Sequence, residues 1–258
     1  MSRYIPLSPQ RFRDRRWQRF RDYRHARHLH LVPVAAPEVS QLAAHLPLVL
    51  ARRDAGQGGY GLCALTGLDV ETNHCLDAGD QWQGGSTPAF LRSHPFRLTV
   101  PAKGDPDQRV LSVDIDSPWV GDTGNEAFLT DANAMTAPVQ EVFRFLTQME
   151  THYQRTQRAV DALTEAELLT DWPLEDHEGQ PIRGLCRIDE KALNELDDAT
   201  FQTLRRCGAL PVAYAQLIST HQLPRLQALA RQHQPQEESV QDFASLFGGD
   251  ELTFNFDS

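Results

Sequence analysis

Two carboxylates one residue apart, Asp114 and Asp116, close the run RVLSVDID (Arg109 to Asp116). On a strand, residues i and i+2 share a face, which would set the pair roughly 7 Å apart. So spaced, they could bind a divalent cation or divide acid and base roles. Turn chemistry is the simpler reading, because Ser117 and Pro118 follow at once and Asp is favoured where strands end. A second group, NHCLDAGDQW, places His74, Cys75, Asp77 and Asp80 close together, and these are donor types that transition metals accept. Their spacing matches no closed site and Asp-Ala-Gly-Asp is what a tight turn selects, so no metal is expected. Binding by Trp82 and Arg92 is the stronger candidate, since tryptophan offers a stacking face and arginine a planar fork for carboxylate or phosphate. Against it stands a plainer role, with Trp82 filling core and Arg92 paired to an acidic group of the body.

Other chemistries find less support. Ser219 and His221 are close in sequence, yet i, i+2 residues do not face each other on a helix and no G-x-S-x-G elbow is present. Neither G-x-x-x-x-G-K-[ST] nor G-x-G-x-x-G occurs, so no nucleotide cofactor is expected.

The elements that must position these residues divide along the chain. Between His28 and Asp116, short apolar runs alternate with turn residues: HLHLVPV, LPLVLAR, YGLCALTGL, FRLTV and RVLSVDID read as strands, and PEVSQLAAHL as a helix opened by proline. Connections too short for crossover helices predict a mostly antiparallel or mixed sheet. From Val139, apolar or near-apolar positions recur at Val142, Leu146, Met149, Tyr153, Val160 and Leu163, broken once at Thr156. This predicts a helix of some 24 residues, about 35 Å long. Its stripe suits packing on the chain's own sheet better than a homodimer seam, because Phe143 and Phe145 widen it. Thr164 and Glu167 form a capping-box pattern predicting a short second helix through Leu169. A hairpin turned at Glu178-Gly179 follows, then helices capped at Asp189 and at Asp197 or Asp198, and two more opened by Pro211 and Pro224. The expected class is α+β, with an arm over 1–28, a sheet lobe over 29–132, a helical lobe over 133–234 and a tail over 235–258.

Charge is polarised. Of 258 residues with net charge -10, the first 30 carry nine arginines against two aspartates, about +7, leaving about -17 for the rest. Arg11 to His28 interleaves eight arginines with Phe12, Trp17, Phe20 and Tyr23, a mixture suited to single-stranded nucleic acid. An acidic body opposes a polyanion, so the arm is read as docked on its own or a neighbouring chain, with Phe12, Phe20 and Tyr23 on one helical face and Trp17 to one side. The tail carries Phe243, Phe247, Phe254 and Phe256 in an acidic setting, a composition suited to docking on the body or a protein partner. Four scattered cysteines read as free thiols, and without a signal-like or membrane-spanning run a cytoplasmic protein is expected.

Several stretches together resemble the SapC-like bacterial family, from about His28 to Leu229. The most specific is ETNHCLDAGDQWQGGSTPAFLRSHPF (Glu71 to Phe96), similar to the family's Glu-Asn, aspartate, tryptophan, then Pro-Ala-x-Leu-Arg-x-x-Pro-Phe run. VDIDS, GNEAFL, GLCRIDEKALNEL and LRRCGALPVAYAQLIS look like further blocks in order, and LFGGDELTFNF resembles the family's Phe-rich acidic end. His74 and Cys75 stand where Leu and Phe are common. The resemblance implies links to a surface layer or to nutrient-uptake clusters, and no catalytic residues. The expected function is a non-catalytic accessory or binding protein acting through protein or small-ligand recognition at Trp82, Arg92, Asp114, Asp116, Phe247, Phe254 and Phe256. The alternatives are a metal-assisted enzyme built on Asp114, Asp116 and the His74 to Trp82 loop, or a nucleic-acid binder using the arm.

Overall fold

The computed structural model describes residues 3–53, 58–101 and 108–233. The first half supplies β1 (Tyr4–Pro6), α1 (Pro9–Phe12), β2 (Arg16–Trp17), β3 (Leu31–Pro33), α2 (Val39–Ala43), β4 (Leu48–Arg52) and β5 (Tyr60–Leu65). It continues with α3 (Ala89–Arg92), β6 (Phe96–Thr99), β7 (Val110–Asp114), β8 (Val120–Gly121) and β9 (Glu126–Ala127). The second half runs α4 (Ala137–Glu165), β10 (Leu169–Asp171), β11 (Leu174–Glu175), β12 (Pro181–Ile182), β13 (Leu185–Ile188), α5 (Glu190–Asn194), α6 (Asp198–Cys207), α7 (Ala209–Ser219) and α8 (Leu223–His233).

The main sheet has the order β10-β13-β4-β5-β3, and every pairing in it is antiparallel. Its centre is β4, whose Leu48, Val49 and Leu50 are fully buried. A strand buried on both faces reads as an unbroken apolar run rather than an alternation. A second sheet, β1-β7-β6, and a small one, β8-β2-β9, pack around Phe12, Trp17, Phe96 and Phe128. The fold is α+β, and the last two strands on one side of the main sheet, β10 at its edge and β13 next to it, come from the helical half.

Helix α4 joins the two cores. Its 29 residues span about 43 Å. Val139, Val142, Phe143 and Leu146 pack into the core around Phe12, while Ala159, Val160 and Leu163 pack on the main sheet with α6 and α7. The polar break at Thr156 is structural: the buried hydroxyl accepts from the Ala36 amide at 2.7 Å and donates to the His152 carbonyl at 2.8 Å. Thr156→Val keeps the shape and orphans that amide, so urea unfolding should show a loss of about 1–2 kcal/mol.

The predicted second helix after Thr164 does not form. Glu167 takes a left-handed φ of 55° immediately after the α4 C-cap. Leu168 is buried and the chain enters β10, paired to β13. Burial of Leu168 and a place on the sheet outweigh a local capping pattern. The hairpin turns at Gly179 with φ of 76°, pairing Leu174 with Ile182, and Asp189 and Asp197 cap α5 and α6 through their carboxylates. Helix α7 begins at Ala209, two residues ahead of Pro211, on left-handed Gly208. All four cysteines are free, and among the described residues no helix is long and apolar enough to cross a membrane.

Candidate recognition cleft

The arm is docked, though not as one helix. It is broken into α1, β2 and a single 3-10 turn at Arg24–Ala26. Phe12 and Trp17 are buried, while Phe20 and Tyr23 lie half-buried against each other with ring centroids 5.2 Å apart. Closely spaced arginines favour exposure on every side, whereas two-residue β2 can pair with β8 and β9 and still bury Trp17. Arg27 holds the far end through a two-pronged pair with the buried carboxylate of Asp80, which has φ of 62°. Asn tolerates that backbone, so Asp80→Asn isolates the lost charge. It should cost about 1–3 kcal/mol and speed amide exchange over residues 16–28.

The loop of donor-type residues serves the fold. Asp77 accepts from the Gly79 and Gln81 amides at 2.9 and 2.8 Å, Asp80 faces Arg27, and Cys75 is fully buried. Buried His74 accepts from the Leu68 amide at 3.2 Å through Nδ1 and meets Asp69 at 3.1 Å through Nε2. Its ring lies 5.3 Å from that of His233, a contact Leu would not make. Among the described residues no three His, Cys, Asp or Glu side chains are placed to hold a metal ion.

Asp114 and Asp116 do not share one strand face, because β7 ends at Asp114 and the chain turns. The buried Asp114 carboxylate accepts from the amides of Arg3 at 3.1 Å and Asp116 at 3.2 Å, and half-exposed Asp116 pairs with Arg3 at 3.4 Å. Trp82 is also inward-looking. Its Nε1 donates to the Gly85 carbonyl at 3.1 Å, and its ring lies so close over Gly84 that a Cβ there would sit 2.5 Å away. Of these four, Arg92 lines a hollow; Phe247, Phe254 and Phe256 lie outside the described residues.

That hollow, about 460 Å³, opens between the arm, the segment Arg92–Phe96 and α4. Trp17, Phe20, Tyr23, Phe96 and Phe145 wall it. Two further hollows, about 280 and 350 Å³, adjoin it, and Ser93 borders all three. The second runs along α4 past Phe145, Met149 and Tyr153; the third lies against Tyr4, His25 and Phe90. Glu38 fixes this block from below, accepting from the Ala89 amide at 2.7 Å at the start of α3 and from the Ala35 amide at 3.0 Å.

Stacked imidazoles separate the first and third hollows. The rings of His25 and His94 lie 3.9 Å apart and 4° from parallel. His25 Nε2 donates to the Leu91 carbonyl at 3.2 Å, and His94 Nε2 meets the Ser117 hydroxyl at 2.8 Å. Burial holds His25 down at about 4, and burial with the neighbouring His25 and Arg97 holds His94 at about 3. Both rings are therefore neutral near pH 7. So weak a base gives little drive to deprotonate Ser117, which also accepts from the Trp119 amide at 3.3 Å.

The block that builds this cleft, Pro88 to Phe96, is the most distinctive stretch of the sequence, and the SapC family model matches residues 7–226. The chain belongs to the SapC family. No curated protein and no solved structure matches it. In this SapC chain the sequence pointed to Arg92 and to the arm aromatics, and it missed Arg19, Ser93, His94, Arg97 and Phe145 as a group. The signal available was the run Arg92-Ser93-His94-Pro95-Phe96 beside an aromatic-rich arm and a helix with two phenylalanines to spare. A different hollow, about 510 Å³ between the hairpin and α8, is bordered by Glu175, Asp176, His177 and Arg231. There His177 is engaged by Asp69 at 2.7 Å, which raises its pKa.

Proposed function

We propose that this SapC-family chain is a non-catalytic accessory or binding protein whose recognition site is the cleft around Ser93. The observation that carries this is a wall of five aromatic side chains beside exposed arginines, in a concave space built by the family's most specific block. Concave, mostly apolar sites with a few convergent polar groups are the usual form of small-ligand sites. The engagement of Asp114, Asp77 and Asp80 by turn amides and Arg27 supports recognition over acid-base or metal chemistry at those residues. A cytoplasmic place in a nutrient-uptake or surface-layer system is what the resemblance implies, and the tail phenylalanines Phe247, Phe254 and Phe256 are proposed as a second contact with a protein partner.

The test is amide chemical-shift mapping with a library of small aromatic fragments. Perturbations gathered on Trp17–Tyr23 and Phe90–Phe96 are expected; fragments that bind elsewhere, or nowhere, contradict the reading. For the tail, a partner recovered with the full chain should be lost when residues 243–258 are deleted.

A further inference from the structure

The cleft carries positive charge that its own walls do not answer. Arg3, Arg24 and Arg27 each meet an aspartate, at Asp116, Asp22 and Asp80. Around the hollows the pattern changes. The Arg92 guanidinium lies 5.8 Å from the Phe145 ring centroid, and that of Arg97 lies 4.6 and 4.8 Å from the rings of Tyr4 and Phe90. No ion pair joins Arg19, Arg92 or Arg97 to a carboxylate among the described residues. Two acids do border the cleft, but Glu150 is met by Arg109 at 3.4 Å, leaving Glu141 against Arg19 and Arg92 in the first hollow.

A second observation is independent of charge. Four buried side-chain polar atoms lack a hydrogen-bond partner among the described residues: Trp17 Nε1, His25 Nδ1, Trp119 Nε1 and Tyr153 Oη. Three of the four belong to residues that line these hollows. Buried polar groups are normally satisfied, and these orphans fall one to each hollow, Trp17 at the first, Tyr153 at the second and His25 at the third. Two of the three, the Trp17 N–H and the Tyr153 hydroxyl, are donors. The arginines add more, so the surroundings call for an acceptor-rich, negative group. The rings of Phe20, Phe96 and Phe145 call for a flat apolar body.

We infer that the cleft binds a small organic anion, a carboxylate carried on a flat aromatic body, with Arg19 and Arg92, which line the hollow walled by Phe20, Phe96 and Phe145, meeting the carboxylate and those walls meeting the rings. This rests on reading the cleft as the recognition site, and it adds the charge and shape of what is recognised. Both arginines are exposed at their outer sides, so solvent moderates each contact.

Calorimetric titration of the full chain with three probes tests it: 2-naphthoate, 2-naphthylmethanol, which has the same rings without charge, and acetate, which has the charge without rings. The naphthoate should bind one to one and at least about tenfold tighter than either control, with the margin narrowing as salt rises. Arg92→Gln and Arg19→Gln should each weaken naphthoate about three- to tenfold and leave naphthylmethanol unchanged, each standing in for the other if one fails to fold; Arg97→Gln, at a guanidinium that borders the adjoining hollows, should change naphthoate less than either. Equal affinity for the two naphthalenes, indifference of naphthoate to the arginine variants, or no binding of either naphthalene overturns the inference. Fragment shifts on Phe90–Phe96 in the face of that result would leave the recognition reading standing, whereas their absence sinks that reading itself.

Discussion

Acidifying the protein from about pH 7 to about pH 4.5 should remove on the order of 4 kcal/mol of stability, much of it through two rings. In the folded chain burial holds His25 at about 4 and His94 at about 3. Unfolding returns both to ordinary histidine values near 6.5. Between those limits the unfolded chain binds protons that the native chain refuses, so falling pH pulls the equilibrium toward unfolding. The contribution is complete above about pH 6.5 and drains away as pH drops toward the native values. Asp22 and Asp114 near His25 oppose this loss slightly by favouring its charged form, while Arg97 adds to it. His177 works the other way, since Asp69 raises its pKa and its pairing strengthens on protonation, but it lies in the open. The check is the urea midpoint between about pH 7.5 and 4.5 for wild type and for His94→Gln, whose amide can still reach Ser117 but does not titrate. The variant should start lower and fall about half as steeply; parallel lines would contradict the assignment.

The largest single-residue loss is expected at Gln216, which is fully buried on α7. Strands β13 and β4 pair at Leu185 with Ala51 and at Cys186 with Leu50, and that register, continued two residues, would bring Ile188 opposite Leu48. The strands part before then. The Gln216 side chain enters the gap, accepting from the Ile188 amide at 2.8 Å and donating to the Leu48 carbonyl at 3.0 Å. Ser219 takes the remaining group, accepting from the Leu48 amide at 2.9 Å and donating to the Gln216 carbonyl at 2.6 Å. One turn of α7 thus completes a ladder that the strands leave open. Gln216→Ala leaves two buried backbone groups without their side-chain partner, and should cost about 3–5 kcal/mol, with Ser219→Ala costing about 1–2. Urea unfolding measures both, and a change below about 1 kcal/mol at Gln216 would refute this role.

These two sites show where the sequence was readable. Periodicity located α4 and strands β3, β4 and β5 of the main sheet, since burial of a stripe or of an entire run writes itself directly into residue order, whereas β10 forms where a helix was expected. The same signal marked Thr156 as a break without saying that its hydroxyl meets Ala36, a residue 120 positions earlier. Ser219 stands beside His221 in sequence in an arrangement unsuited to a nucleophile, and its partner is the Leu48 amide of β4. Two-residue strands such as β2 carry no period at all, so the arm's aromatics were correctly expected to dock while their helical arrangement was not. For the cleft, Arg92 was legible because arginine beside family-specific apolar residues is conspicuous. His25 and His94 were not, since stacking across 69 positions depends on how β3, α3 and the arm meet.

Ser93 borders all three hollows, and a tryptophan there would fill the space in which recognition is placed. The most direct measurement is therefore the amide shift map of wild type and Ser93→Trp with the same aromatic fragments. The expected result is a cluster of shifts on Trp17–Tyr23 and Phe90–Phe96 in the wild type that vanishes in a variant retaining a dispersed spectrum. Fragments that perturb both proteins alike would contradict a recognition site at this cleft.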